Sequence, residues 1–107
     1  MDIGTQIEGA FPNYRDASKI HEWGAALSEL ALGSLVSGLI VLKLRSGYVI
    51  DIGLPFPALM LIGNFKPENS DLSIGSKISG NIYVFDEFKN QIGITQTGRQ
   101  EWMKGTW

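Results

Sequence analysis

The stretch LGSLVSGLIVLKLRSGYVIDIG, residues 32–53, decides how this chain folds. Aliphatic and β-branched residues fill 35–44 and 48–52, and Arg45-Ser46-Gly47 breaks them with turn chemistry. The spacing predicts two antiparallel strands joined by a tight turn. Strict alternation places Val36, Gly38, Ile40, Leu42 and Leu44 on one face of the first strand, with Ser37, Leu39, Val41, Lys43 and Arg45 on the other. Leu39 and Val41 are apolar on the nominally outward side, so a cover is expected over them.

Downstream, Gly53-Leu54-Pro55-Phe56-Pro57 makes a stiff loop, because two prolines flank the aromatic. Short apolar runs at 58–62, 77–85 and 91–96 predict three more strands, separated by an Asn/Pro/Ser/Asp-rich loop at 63–75 and a turn at 86–90. One internal echo stands out. GSLVSGLI at 33–40 and GSKISGNI at 75–82 share Gly-Ser-x-β-Ser-Gly-x-Ile. A glycine inside each of two strands is what a small, strongly coiled barrel needs.

Upstream, Ile20, Trp23, Leu27, Leu30 and Ala31 form one apolar stripe, which predicts a helix over 17–31 capped by Asp16 or Ser18 and ended by Gly33. Leu39 and Val41 are its expected docking patch. Residues 1–16 are polar and glycine-containing and are read as a flexible arm, while 98–107, with Trp102 and Trp107, form a C-terminal tail. Residues 17–97 are expected to form one domain, a size consistent with 107 residues at 44% hydrophobic content.

Composition excludes several chemistries. There is no cysteine, so disulfides, thiolate metal sites and a cysteine nucleophile are out. The sequence shows no glycine-rich phosphate loop, no nucleophile elbow and no HExxH, and its one histidine, His21, sits within the predicted helix. Asp86-Glu87 and Glu68/Asp71 read as solvated turn acids rather than metal ligands. The expectation is therefore a non-enzyme without cofactor or metal. The N-terminus shows no secretory pattern, and the apolar run 35–42 is far below the roughly 18 residues of a membrane span. A cytoplasmic protein with no membrane contact is expected. Net charge is −2, distributed as −3 over residues 1–32 (two basic, five acidic) and +1 over 33–107 (seven basic, six acidic). Such a balance lacks the basic excess of a tight nucleic-acid binder.

Gly33, Val36 and Gly38, then Gly47, Asp51-Ile52-Gly53, residues 59–62, Ile74-Gly75, Ile78, Ile82, Asp86 and Ile92-Gly93-Ile94 together resemble the ribosomal protein S-one RNA-binding domain, a branch of the OB-fold. The likeness covers roughly 32–97. It implies an all-β, five-stranded S-one-like OB-fold barrel, to which this chain adds an N-terminal α-helix, and it implies single-stranded RNA as partner. The family's ligand face carries an aromatic just before the strand-two glycine, another two residues after it, and a histidine in strand three. Those positions hold Ser46, Val49 and Leu61 here. Substitute platforms are Tyr48, Phe56 and Phe65, with Lys43, Arg45 and Lys66 as phosphate contacts. Alternation places Tyr48 toward the core, and Phe56 reads equally as an exposed contact or a plug for the barrel mouth.

Two function classes follow. In the first, the chain is a small nucleic-acid-binding protein that grips single-stranded RNA weakly across strands two and three. In the second, the same barrel is a protein-interaction module (an adaptor, inhibitor or immunity protein) that uses the acidic helical arm and the loop at 54–56. Self-association is left open by the sequence.

Overall fold

A computed structural model of the protein describes residues 3–16 and 20–100, except the side chains of Ile20 and His21. Trp102 and Trp107 of the expected tail lie outside the described residues. The echoed segments are where the sheet closes on itself. β1 (Leu35–Leu44) and β4 (Lys77–Asp86) pair antiparallel, with Ser37 opposite Ser79, Gly38 opposite Ile78 and Val36 opposite Gly80. The hydrogen bonds at the two ends mirror each other. Gly33 N–H donates to Ile82 O at 2.7 Å and Gly75 N–H to Ile40 O at 2.7 Å, while Ile82 N–H reaches Ser34 O and Ile40 N–H reaches Ser76 O, both at 2.9 Å. The repeated sequence is thus a local two-fold, in which two strands occupy equivalent environments and need the same residues. Gly33 and Gly75 both have positive φ, 88° and 94°, the left-handed conformation that favours glycine at the start of each unit.

β2 (Gly47–Asp51), β3 (Ala58–Leu61) and β5 (Gln91–Thr95) complete a closed barrel in the order β1-β2-β3-β5-β4. All pairings are antiparallel except the short parallel contact of β3 with β5. This is the five-stranded barrel that the sequence predicted. Ile40, Ile50, Met60, Ile82, Ile92 and Ile94 are sealed inside it. A Cβ at Gly38 would collide with the Asp51 carbonyl, and one at Gly80 would sit 3.0 Å from both Met60 Cε and Thr95 O. The first strand has no room for a side chain where it coils, and the second would have to shift its neighbours by a few tenths of an ångström.

Strict alternation fails at two bulges. The register slips between Ile40 and Leu42, so Leu42 lies opposite Val49 and Lys43 opposite Tyr48. Leu42 and Leu44, expected inward, therefore share the outward face with Val49. A second slip between Ile82 and Val84 turns Val84 outward opposite Gly93.

The N-terminal region differs most from expectation. Residues 1–16 were predicted to be a flexible arm, yet α1 (Ile3–Ala10) is a helix, and Ile7, Phe11 and Tyr14 are all within the core. Ile3, Ile7, Phe11 and Tyr14 recur at steps of four, four and three, a helical stripe that the glycines and Pro12 disguise. The predicted second helix is present as α2 (Ile20–Glu29), with residues 17–19 outside the described set. It docks elsewhere than predicted. Trp23 meets Phe56 edge to face at 5.0 Å between ring centroids and 80° between planes, whereas Leu39 stays 51% exposed.

Candidate nucleic-acid interface

Tyr48 organises one end of the barrel. Its position in β2 points it into the interior, where it is 3% exposed, but its hydroxyl emerges among the backbone of the β3–β4 loop. There it donates to Asn69 O at 2.6 Å and accepts from Leu72 N–H at 3.0 Å. Its ring packs on Phe65 at 5.0 Å, tilted by 44°. Gln96, just beyond β5, holds the same loop from the other side. Its Oε1 accepts from Lys66 N–H at 2.9 Å and Asn69 Nδ2 at 2.8 Å, and its Nε2 donates to Ser79 O at 2.9 Å. The loop, which includes a 3-10 turn at Pro67–Asn69, is held by side chains at both flanks.

Four of the six candidate residues lie on the β1–β2 hairpin and the β3–β4 loop that flank this anchor. Lys43, the cross-strand neighbour of Tyr48, reaches Asp71 Oδ1 at 3.5 Å with both side chains in solvent. Arg45 is exposed in the β1–β2 turn, Lys66 is exposed on the loop, and Phe65 is half-buried beside it. An ion pair as open as Lys43–Asp71 contributes at most about 1 kcal/mol, so a phosphate competes with it readily.

The other two candidates are corrected. Tyr48 has no open face, because the inward register that sets its ring against Phe65 also removes it from solvent. Phe56 is fully buried under Trp23 and acts as a plug. The same contact takes Phe56 out of the surface of the loop at 54–56, leaving Pro55 exposed and Leu54 half-buried.

The outward face of β2 and β3 is also closed. Val49, Leu59 and Leu61 point away from the barrel interior, as their pairings with Leu42, Gly93 and Gly47 require, yet they are 0%, 0% and 4% exposed. Residues 3–16 contact the strands on either side of this face. α1 lies against β1, and the turn after it is tied to the β4–β5 hairpin by Asn90 Nδ2 to Tyr14 O at 2.8 Å and Gln91 Nε2 to Tyr14 Oη at 3.1 Å. Two of the positions where the resemblance to the S-one family would put ligand residues, Val49 and Leu61, are thus buried.

Sequence reasoning missed a cleft of about 600 Å³ on the far side of the loop, lined by Asn69, Gln96, Ser37, Ser79 and Lys77 among others. Its signal was present in the echo, whose outward positions in β4 are Lys77 and Ser79. In the β4–β5 hairpin, burial lowers the Lys89 ammonium below its ordinary pKa against the opposing pull of Asp86, 4.0 Å away. Among the described residues, no group of three His, Asp or Glu side chains is placed to hold a metal ion, and no helix is long and apolar enough to cross a membrane.

Comparison with solved structures agrees on the fold. An uncharacterised protein from Methanocaldococcus jannaschii superposes with a TM-score of 0.55 at 16% identity, over 66% of this chain and 97% of that one. GSP13 from Bacillus subtilis gives 0.55 at 18% identity, over 72% and 65%. A putative exosome complex RNA-binding protein gives 0.52 at 24% identity, over 64% of this chain and 44% of its own. No family profile matches the sequence, and no curated protein matches it. The fold is an all-β, OB-like five-stranded barrel.

Proposed function

We propose that this protein is a non-enzymatic, weak single-stranded RNA binder that uses the end of its barrel instead of the β2–β3 face. The observation that carries the reading is the clustering of exposed Lys43, Arg45 and Lys66 with half-buried Phe65 around the Tyr48-anchored loop. The cations supply phosphate contacts, and the Phe65 ring supplies one stacking platform, worth about 1–3 kcal/mol per base in such proteins. Because Tyr48 and Gln96 already hold the loop, little ordering is needed on binding. The cleft bearing Lys77 continues the polar surface beyond Asn69. The RNA-related name of one structural relative is consistent with this reading.

Fluorescence anisotropy with a labelled oligouridine tests it. Lys43→Ala/Arg45→Ala/Lys66→Ala should flatten the slope of log K against log salt by about 2, since each phosphate contact on a single strand contributes about 0.7. Phe65→Ala should lower affinity about 5- to 150-fold with the slope unchanged. Absence of binding by the wild-type chain at low salt and hundreds of micromolar would remove the RNA reading.

The second reading, a protein-interaction module, is favoured by a separate observation. Leu35 and Leu39 on the outer face of β1, with Ile74 beside them, are 71%, 51% and 61% exposed. Binding to a protein that is abolished by Leu35→Ser/Leu39→Ser, with RNA affinity unaltered, would support it.

A further inference from the structure

β1 pairs with β2 only from Leu39 onward, and β4 pairs with β5 only from Asn81 onward. Around Ser37 and Ser79 the two strands therefore pair only with each other and form a lip beyond the closed part of the barrel. The echoed sequence supplies a serine at the fifth place of each unit, and the local two-fold sets Ser37 directly opposite Ser79 with both side chains exposed. Directly opposite residues have Cβ atoms about 4.5–5.5 Å apart on one face of the sheet, so the two hydroxyls lie side by side. Lys77, two residues back along β4 and so on the same face, adds an exposed ammonium. With Asn69 and Gln96 these three line the cleft of about 600 Å³, a size within the range of small-ligand sites, and no Asp or Glu lines it.

The fastening of the β3–β4 loop decides what that cleft still offers. Gln96 Nε2 occupies the Ser79 carbonyl, and Gln96 Oε1 is occupied by Lys66 N–H and Asn69 Nδ2. Two acceptors of the lining are thus consumed within the chain. Among the described residues, the hydroxyls of Ser37 and Ser79 and the Lys77 ammonium have no hydrogen-bond or ion-pair partner. Two hydroxyl donors and a cation converge, with no carboxylate against them.

We propose that this cleft binds a phosphate monoester, the terminal phosphate of the bound strand, an inference that rests on the RNA reading above. A monoester carries about −1.5 to −2 charges at pH 7 and three strong acceptor oxygens, more than an internal phosphodiester presents. Adjacent hydroxyls and a lysine point charge suit those oxygens. Asn69 belongs both to the cleft and to the loop that bears Lys66, so the cleft adjoins the surface that takes the rest of the strand. A 5′-phosphate and a 3′-phosphate share this chemistry, and the test separates them.

Competition anisotropy on the full chain compares oligouridine with hydroxyls at both ends, with a 5′-phosphate and with a 3′-phosphate. One phosphorylated form should bind at least about fivefold more tightly than the hydroxyl form, as added charge-assisted hydrogen bonds require. Ser37→Ala/Lys77→Gln/Ser79→Ala should bring that ratio to about one, and all three positions are exposed, so the variant keeps the fold. Equal affinity of the wild-type chain for all three strands overturns the inference and leaves the RNA reading standing. A preference that survives the triple variant also overturns it, because the phosphate is then held elsewhere. If no strand binds, the RNA reading fails and the cleft is judged by amide shifts with the two uridine monophosphates against uridine. Shifts at Ser37, Lys77 and Ser79 with a monophosphate alone uphold the phosphate site with a free mononucleotide as its source, and their absence overturns it.

Discussion

Two regions of this barrel had equal claim to a ligand, and the structure treats them oppositely. The outward face of β2 and β3 presents Val49, Leu59 and Leu61, apolar and buried. The end formed by the β1–β2 turn and the β3–β4 loop presents Lys43, Arg45 and Lys66 to solvent on a backbone held by Tyr48 and Gln96. On this fold, a face without its aromatic side chains becomes available for packing, and here it is buried. The open charged end is the one the proposed RNA contact uses. A fold fixes where strands lie, while the side chains decide which surface is spent on stability and which on recognition.

The largest expected effect breaks the first region. Phe11→Ala should destabilise the protein by about 3–5 kcal/mol in a denaturant melt, because it empties a nearly sealed site between the arm and the barrel. A change under about 0.5 kcal/mol would mean that the arm is not part of the folded unit. Gly38→Val lies in neither region and separates stability from binding. Its Cβ meets the Asp51 carbonyl, so the cost should exceed the usual overpacking range of about 1–3 kcal/mol, with the RNA salt slope unaltered at temperatures where the chain is folded. Tyr48→Phe sharpens the second region. It deletes the bonds to Asn69 O and Leu72 N–H at small change in shape, costing about 1–3 kcal/mol and weakening RNA through a loosened loop. If that variant binds RNA as well as wild type, the anchor has no part in recognition.

Much of the fold was legible because glycine and turn chemistry are local. Gly33, Gly38, Gly75 and Gly80 mark two strands that coil and pair, and Arg45-Ser46-Gly47 marks the hairpin between the first two. The bulges were not legible. A register slip depends on how β1 meets both of its neighbours, and no residue between Ile40 and Leu42 announces it. The docking of α2 was half legible: the stripe through Trp23 was visible, but its acceptor Phe56 lies in a loop rather than on a strand face. Of the candidate site, the exposure of Lys43, Arg45 and Lys66 could be read directly, since charged side chains remain in solvent. Alternation placed Tyr48 toward the core, as it is, but its hydroxyl's hold on the β3–β4 loop could not be read from sequence. An inward register and a surface-reaching hydroxyl are both properties of this one side chain. The first helix escaped notice because Gly4, Gly9 and Pro12 made a helical stripe look like an unstructured arm.

The division of labour between the two regions is tested most directly by amide chemical shifts of the full-length protein during titration with single-stranded oligouridine. Perturbations should concentrate at Lys43, Arg45, Ser46, Phe65, Lys66 and Leu72 and spare buried Val49, Leu59 and Leu61. Shifts centred on Val49, Leu59 and Leu61, accompanied by changes at Ile7, Phe11 and Tyr14, would contradict the account by showing that RNA opens and binds the buried face.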